Sequence, residues 1–122
     1  MNQTADEPVE GVPLAARRCV PCEGGVAPLT REAALQLKRT LHAQWRLSED
    51  ARVLQRAFAF KDFYRTMSFV NALAHVANIE DHHPDLEIGY DYCRVRLTTH
   101  AIQGLSENDF ISAAKIDAIA VI

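Results

Sequence analysis

Five histidines stand in this sequence, and three of them, His82, His83 and His100, fall where a fold can bring them together. Imidazole titrates at about pH 6.5, so it can give and take protons at neutral pH without much tuning. Three such rings around one ligand suit a proton-transfer reaction with no covalent step. His82 and His83 directly precede Pro84, and proline disfavours helical geometry in the residue ahead of it. They therefore belong just past the end of a helix. His100 closes a segment of alternating polarity. Sequence-distant loops that meet at one edge of a sheet are a usual way to build a site. His42 and His75 sit inside helix-periodic stretches and read as structural or solvated.

Rival chemistries can be weighed on spacing. No Gly-rich loop stands between a strand and a helix, and G-x-S-x-G and H-E-x-x-H are absent, which argues against a nucleotide cradle, a serine nucleophile elbow and a zincin. A two- or three-histidine metal centre stays open. Adjacent histidines in an extended segment point to opposite sides, however, which works against one ion shared by His82 and His83. Cys19-Val20-Pro21-Cys22 is a single C-x-x-C. Cys93 or histidines could complete a zinc site with it, and ordinary reduced cysteines are the alternative.

Positioning elements follow from periodicity. Thr30 can cap a helix with Glu32 in its first turn, and Ala34, Leu37 and Leu41 extend it from Arg31 to His42. Trp45 to Leu47 and Ala51 to Phe60 read as a hairpin around Ser48-Glu49-Asp50. In its second arm Leu54, Phe58 and Phe60 alternate, interrupted by Arg52 and Arg56. Asp62 can cap the next helix. Its two apolar stripes, Phe63-Met67-Val70-Ala74-Ala77 and Phe69-Leu73-Val76, are more than one sheet contact requires. The surplus fits either a second subunit or a deep intrachain core. Leu86 to Tyr90 and Tyr92 to Thr99 follow as strands about a turn at Asp91. Cys93, Val95 and Leu97 share one face of the second, Arg94 and Arg96 the other. Ser106-Glu107-Asn108-Asp109 has capping-box spacing ahead of a last helix to about Ala120. The order is α-β-β-α-β-β-α. The expected fold class is α+β, a four-stranded antiparallel sheet with three helices packed on one face.

Composition bounds the rest. A chain of 122 residues is one domain's worth. Residues 1–28 hold four of the five prolines and three of the five glycines without helical or strand period. They read as an extended or mobile tail, with an anchor near Cys19 and Cys22 as the alternative to a free one, ahead of a domain at 29–122. A net charge of -3 speaks against a nucleic-acid partner. No apolar run approaches the roughly 18 residues of a membrane helix. The acidic start MNQTADEPVEGVP fits neither a secretory signal nor a transit peptide, so a cytoplasmic location is expected.

Asp81-His82-His83-Pro84, then Tyr90, then Thr99-His100, then Gly104-Leu105-Ser106-Glu107-Asn108-Asp109 resembles the pterin-4a-carbinolamine dehydratase family. Each piece alone is weak; the joint spacing is specific. It covers the chain from about Leu29 to the C-terminus. The resemblance implies a lyase that dehydrates 4a-hydroxytetrahydropterin to quinonoid dihydropterin in tetrahydropterin recycling, with no metal and no organic cofactor. It implies an aromatic amino acid hydroxylase as metabolic partner and assembly into a homodimer or homotetramer through sheet edges and helices. It carries the family's essential histidines onto His82, His83 and His100. Pterin contacts fall on Asp81 to His83 and on Thr98, Thr99 and His100, through Ala101, and the last motif's aspartate falls on Asp109. His82 and His100 are then expected as general acid and base, and His83 as the residue that orients the pterin. Asp109 could equally serve only to secure its helix.

The chain departs from the family pattern at three places. Asn78 stands where members often carry an acid, Leu86 where many have an aromatic, and Asn108 where many have a basic residue. An amide can hydrogen-bond a pterin edge but cannot act as a base. The tail with Cys19 and Cys22 looks like a leader found on some bacterial members. Two other functions fit the same resemblance: a non-catalytic dimerisation or regulatory partner, and dehydration of another pterin such as a molybdenum-cofactor intermediate.

Overall fold

The computed structural model describes residues 11–22 and 24–120. Helix α1 spans Arg31–Lys38, strands β1 Arg46–Leu47 and β2 Leu54–Ala59 follow, then helix α2 Phe63–Glu80, strands β3 Asp85–Ile88 and β4 Tyr92–Leu97, and helix α3 Glu107–Ala120. Single 3-10 turns add Leu14–Ala16 and His100–Ile102. The sheet is antiparallel with order β1-β2-β4-β3. This is the expected α+β arrangement.

Alternation sets the register. Leu54 pairs with Leu97, Phe58 with Cys93 and Leu86 with Val95, so their side chains share the covered face. Leu54, Cys93, Val95, Leu97, Trp45 and Phe110 are fully buried there, with Leu73 of α2 beside them. Arg94 and Arg96 stand on the opposite face, as their alternation requires.

Arg56 interrupts the apolar alternation of β2, and its side chain nevertheless turns inward. Its Nη1 donates to Asp117 Oδ1 at 2.6 Å, and its guanidinium lies 4.1 Å from the centre of the Phe58 ring. Trp45 Nε1 donates to the same Asp117 oxygen at 2.7 Å. A buried cation is tolerated because a carboxylate and an aromatic face meet it.

Helix α1 is shorter than its spacing predicts, and His42 lies beyond it rather than inside it. Thr40 N–H and Leu41 N–H bond carbonyls three residues back, which tightens the chain into a turn. His42 N–H then donates to Asp117 Oδ2 of α3 at 3.1 Å. A tertiary acceptor thus outcompetes the next helical carbonyl. Thr30 caps the other end, accepting from Ala33 N–H.

Helix α2 buries Thr66, Phe69, Val70, Leu73 and Ala77. Phe63 and Ile79 stay exposed, and Ala74 faces outward as well. Of its two apolar stripes, then, only an arc enters this chain's core. Helix α3 is buried more completely. Residues 108–113 are all buried, because α2 covers one side and the 3-10 turn at Leu14–Ala16 covers another. Leu14 itself is buried in the core. Residues 11–22 therefore lie along the domain.

Candidate active site

The end of α2 sets two of the histidines. Asp81 adopts a left-handed conformation (φ 51°), and both Asp81 N–H and His82 N–H bond the Ala77 carbonyl. Aspartate tolerates this region better than most residues, and the close resembles a Schellman end. The chain then leaves the helix axis toward Pro84. His100 is delivered from the other side. Strand β4 ends at Leu97, and a bridge between Thr99 and Gly104 closes a short loop that begins with the 3-10 turn at His100. Gly104 is required there: a Cβ would stand 2.5 Å from Pro28 Cβ.

These two ends face one cleft of about 530 Å³, within the usual range for small-molecule sites. Asp81, His82, His83, Thr98, Thr99 and His100 all line it. Asp109 does not. It lies fully buried behind His82, and its Oδ1 is 2.6 Å from His82 Nε2. Its Oδ2 accepts from Thr99 Oγ1 at 2.8 Å and from Ser106 N–H at 2.9 Å. Ser106 Oγ lies 2.7 Å from Thr99 Oγ1. Facing a carboxylate, which can only accept, His82 donates through Nε2, and Nδ1 of the neutral ring is left as an acceptor. Asp109 thus secures the start of α3 and orients His82 at once.

His83 is exposed, and its Nε2 is 3.1 Å from Asn78 Oδ1, one turn back on α2. The amide oxygen accepts there, which leaves His83 Nδ1 without a proton in the neutral ring. Thr98 Oγ1 donates to the Arg52 carbonyl at 2.7 Å, tying the loop to the hairpin. Tyr90, part of the sequence motif, stands outside the cleft. It is 65% exposed, and its carbonyl accepts from Thr66 Oγ1.

The cysteines separate. Cys93 is buried in the sheet core, whereas Cys19 and Cys22 line the cleft. Burial pushes both Cys93 and Cys19 up to about 11. Among the described residues no group of three or more His, Cys, Asp or Glu side chains is disposed to hold a metal ion. Nor is any helix among them long and apolar enough to cross a membrane.

Sequence reasoning missed Glu80 and the segment it fastens. Glu80 is buried, and its Oε1 accepts from Cys19 N–H at 2.8 Å. Its Oε2 lies 3.1 Å from Arg18 Nε and 3.6 Å from Lys115 Nζ. Burial pushes this carboxyl up, but the Cys19 N–H, Lys115 and Arg18 together outweigh it and hold it below its ordinary value of 4.5. A carboxyl lowered by folding contributes stability that is fully present above that ordinary value. The contribution drains as pH falls through the lower folded value. Amide hydrogen exchange, corrected for intrinsic rates, should therefore show Cys19 and Val20 protected at pH 7 and losing protection below about pH 4.5. Glu80→Gln should show part of that loss already at pH 7. Equal protection at both pH values would remove Glu80 as the latch.

Known proteins resemble this chain closely. The family model described as "Pterin 4 alpha carbinolamine dehydratase" matches residues 27–119. A Legionella pneumophila (strain Corby) protein named "Putative pterin-4-alpha-carbinolamine dehydratase" is 55% identical over 108 residues, covering 88% of this chain and 96% of that one. A Nitrosospira multiformis protein of the same name is 51% identical over 119 residues, covering 98% and 97%. Among solved structures, one titled "transcriptional coactivator/pterin dehydratase" from Brucella melitensis superimposes with a TM-score of 0.72 at 33% identity, covering 76% of this chain and 98% of that one. A pterin dehydratase-like protein described as a RuBisCO assembly factor in the alpha-carboxysome gives 0.57 at 29% identity, covering 65% and 92%. With the motif histidines on one cleft and a family match over most of its length, this chain belongs to the pterin-4a-carbinolamine dehydratase family.

Proposed function

We propose that the cleft dehydrates a 4a-hydroxytetrahydropterin, the 4a-carbinolamine, to the quinonoid dihydropterin. The observation that carries this reading is the convergence of His82, His83 and His100 on one cleft, with His82 oriented by a buried carboxylate. In the reaction the lone pair of the ring nitrogen beside C4a forms a C=N bond as the C–O bond breaks. The leaving oxygen takes a proton and departs as water. The cation left behind loses a proton, so the net change is loss of one water. His82 takes the proton of the cation through Nδ1, since Asp109 stabilises the imidazolium that forms. His100, exposed on the same cleft, protonates the leaving oxygen. His83, held by Asn78, binds and orients the ring. The reaction so written uses neither a metal nor an organic cofactor.

The rate of decay of chemically prepared 4a-hydroxytetrahydropterin, followed by absorbance with and without the protein, tests the proposal. Acceleration proportional to protein concentration is expected. An unchanged decay would sink it and favour a non-catalytic role of the kind named for the RuBisCO assembly factor of similar fold. An aromatic amino acid hydroxylase as the source of the substrate, and a homodimer or homotetramer as the working form, belong to the same proposal. Parallel assays on other hydroxylated pterins distinguish recycling from dehydration of a molybdenum-cofactor intermediate.

A further inference from the structure

We propose that the leader segment Arg17–Cys22 is a wall of the substrate site, so that Val20, Pro21 and Cys22 contact the bound pterin while Glu80 and Asn108 act as positioning residues that hold the segment there. This rests on the pterin reading of the cleft and extends it to a segment outside residues 27–119, where the family model matches.

The segment is fastened by side chains that have almost no other exposure. Asn108 is 5% exposed, and both ends of its amide are engaged: Oδ1 accepts from Val20 N–H at 3.0 Å and Nδ2 donates to the Val20 carbonyl at 2.6 Å. One side chain thereby satisfies both backbone groups of one residue, as a neighbouring strand would. Glu80 takes the preceding N–H, that of Cys19, and its charge meets Arg18 and Lys115. Cys19 Sγ lies 3.5 Å from the Asn108 carbonyl and 3.7 Å from Ser112 Oγ.

The anchors come from two helices and adjoin the proposed chemistry in sequence. Glu80 is followed directly by Asp81, His82 and His83, and Asn108 by Asp109. The segment therefore spans from the end of α2 to the start of α3, across the cleft that both helices flank. Cys19, Val20, Pro21 and Cys22 line that cleft together with the histidines. A flat ring placed against His82 and His100 would meet a largely apolar wall here. Such a wall excludes water from one side of the ring, which strengthens hydrogen bonds made on the other.

Cys22 makes the wall measurable. It is half-buried on the cleft, whereas Cys93 is fully buried in the sheet and the Cys19 thiol is turned to the Asn108 carbonyl and Ser112 Oγ, so alkylation at pH 8 should fall mainly on Cys22. The full-length protein is treated with iodoacetamide with and without saturating 7,8-dihydrobiopterin, a stable pterin, and modification of Cys22 is timed by mass spectrometry. Calorimetry on the same sample reads binding separately. Bound pterin should slow Cys22 alkylation about tenfold or more. Binding with an unchanged alkylation rate overturns the wall and leaves the pterin reading standing. Failure to bind, together with unchanged decay of the carbinolamine, overturns both. Asn108→Ala supplies a second readout: KM should rise about tenfold more than kcat falls, and pterin should no longer protect Cys22. A fall in kcat at unaltered KM, with protection intact, would make Asn108 a structural residue only.

Discussion

Replacing His82 by alanine should lower the dehydration rate by about 10²- to 10⁴-fold, the usual size of one positioned proton transfer, with a cooperative fold retained. The ring lines the cleft, its side chain keeps 12% of its surface, and among the described residues its hydrogen-bond partner is Asp109. Removing it leaves Asp109 with two donors, Thr99 Oγ1 and Ser106 N–H, both on Oδ2. The stability cost is then one hydrogen bond to a charged group, roughly 1.5–3 kcal/mol, plus the packing the ring makes beside Leu73 and Ile116. Stopped-flow decay of the carbinolamine reads the rate and circular dichroism reads the melt. His75→Ala, on the exposed side of α2, should change neither. A His82→Ala protein that keeps the parent rate would remove His82 from the chemistry.

Asp109→Asn should nearly abolish activity while leaving the fold intact, because it inverts the tautomer of His82. The Asn amide oxygen can still accept from Thr99 and Ser106, so the start of α3 stays capped. Its NH₂ group then faces His82 Nε2, which must become an acceptor and move the ring proton to Nδ1. The atom proposed to take the proton would now carry one. The expected loss is on the order of 10²- to 10⁴-fold in kcat, the scale on which a wrong tautomer costs other acid–base sites. Asp109→Ala goes further. It strips the acceptor from His82, Thr99 and Ser106 together, all at a fully buried position. At about 1 kcal/mol or more for each donor left unpaired, roughly 3 kcal/mol of stability goes with it. A melt near that of the parent with a large fall in kcat for the Asn variant separates orientation from capping. Parallel losses in both variants would reduce Asp109 to a structural role.

Much of the fold was legible because its signals are local. Period-two alternation in Leu54 to Phe60 and in Tyr92 to Leu97 can be read without knowing the partner strand. So can the caps Thr30 and Asp62 and the stop ahead of Pro84. What the local pattern misread was decided by tertiary partners. Arg56 breaks the alternation only until Asp117, 61 residues away, is placed against it. The predicted helical turn at His42 unwinds because that same Asp117 supplies a better acceptor. The wide apolar surface of α2 is not all used within the chain, since Phe63 and Ile79 remain exposed.

The sequence by itself determined which groups can do chemistry and on which element ends they stand. Histidines beside Pro84 and at the close of β4 are held at those ends by backbone rules that act over a few residues. The tertiary structure alone decided how the groups face each other. Nothing near His82 in sequence shows that its ring nitrogen meets a carboxylate 27 residues on, which turns a capping-box aspartate into a positioning group. Nothing in the Pro- and Gly-rich first 28 residues shows that Cys19 to Cys22 border the cleft. Their backbone has no period to read, and the acceptors and donors that fasten it, Glu80 and Asn108, lie 61 and 88 residues away. Local geometry follows from steric and hydrogen-bonding preferences within a turn or a strand. A site needs convergence, and convergence depends on which distant polar groups find partners once the core has closed.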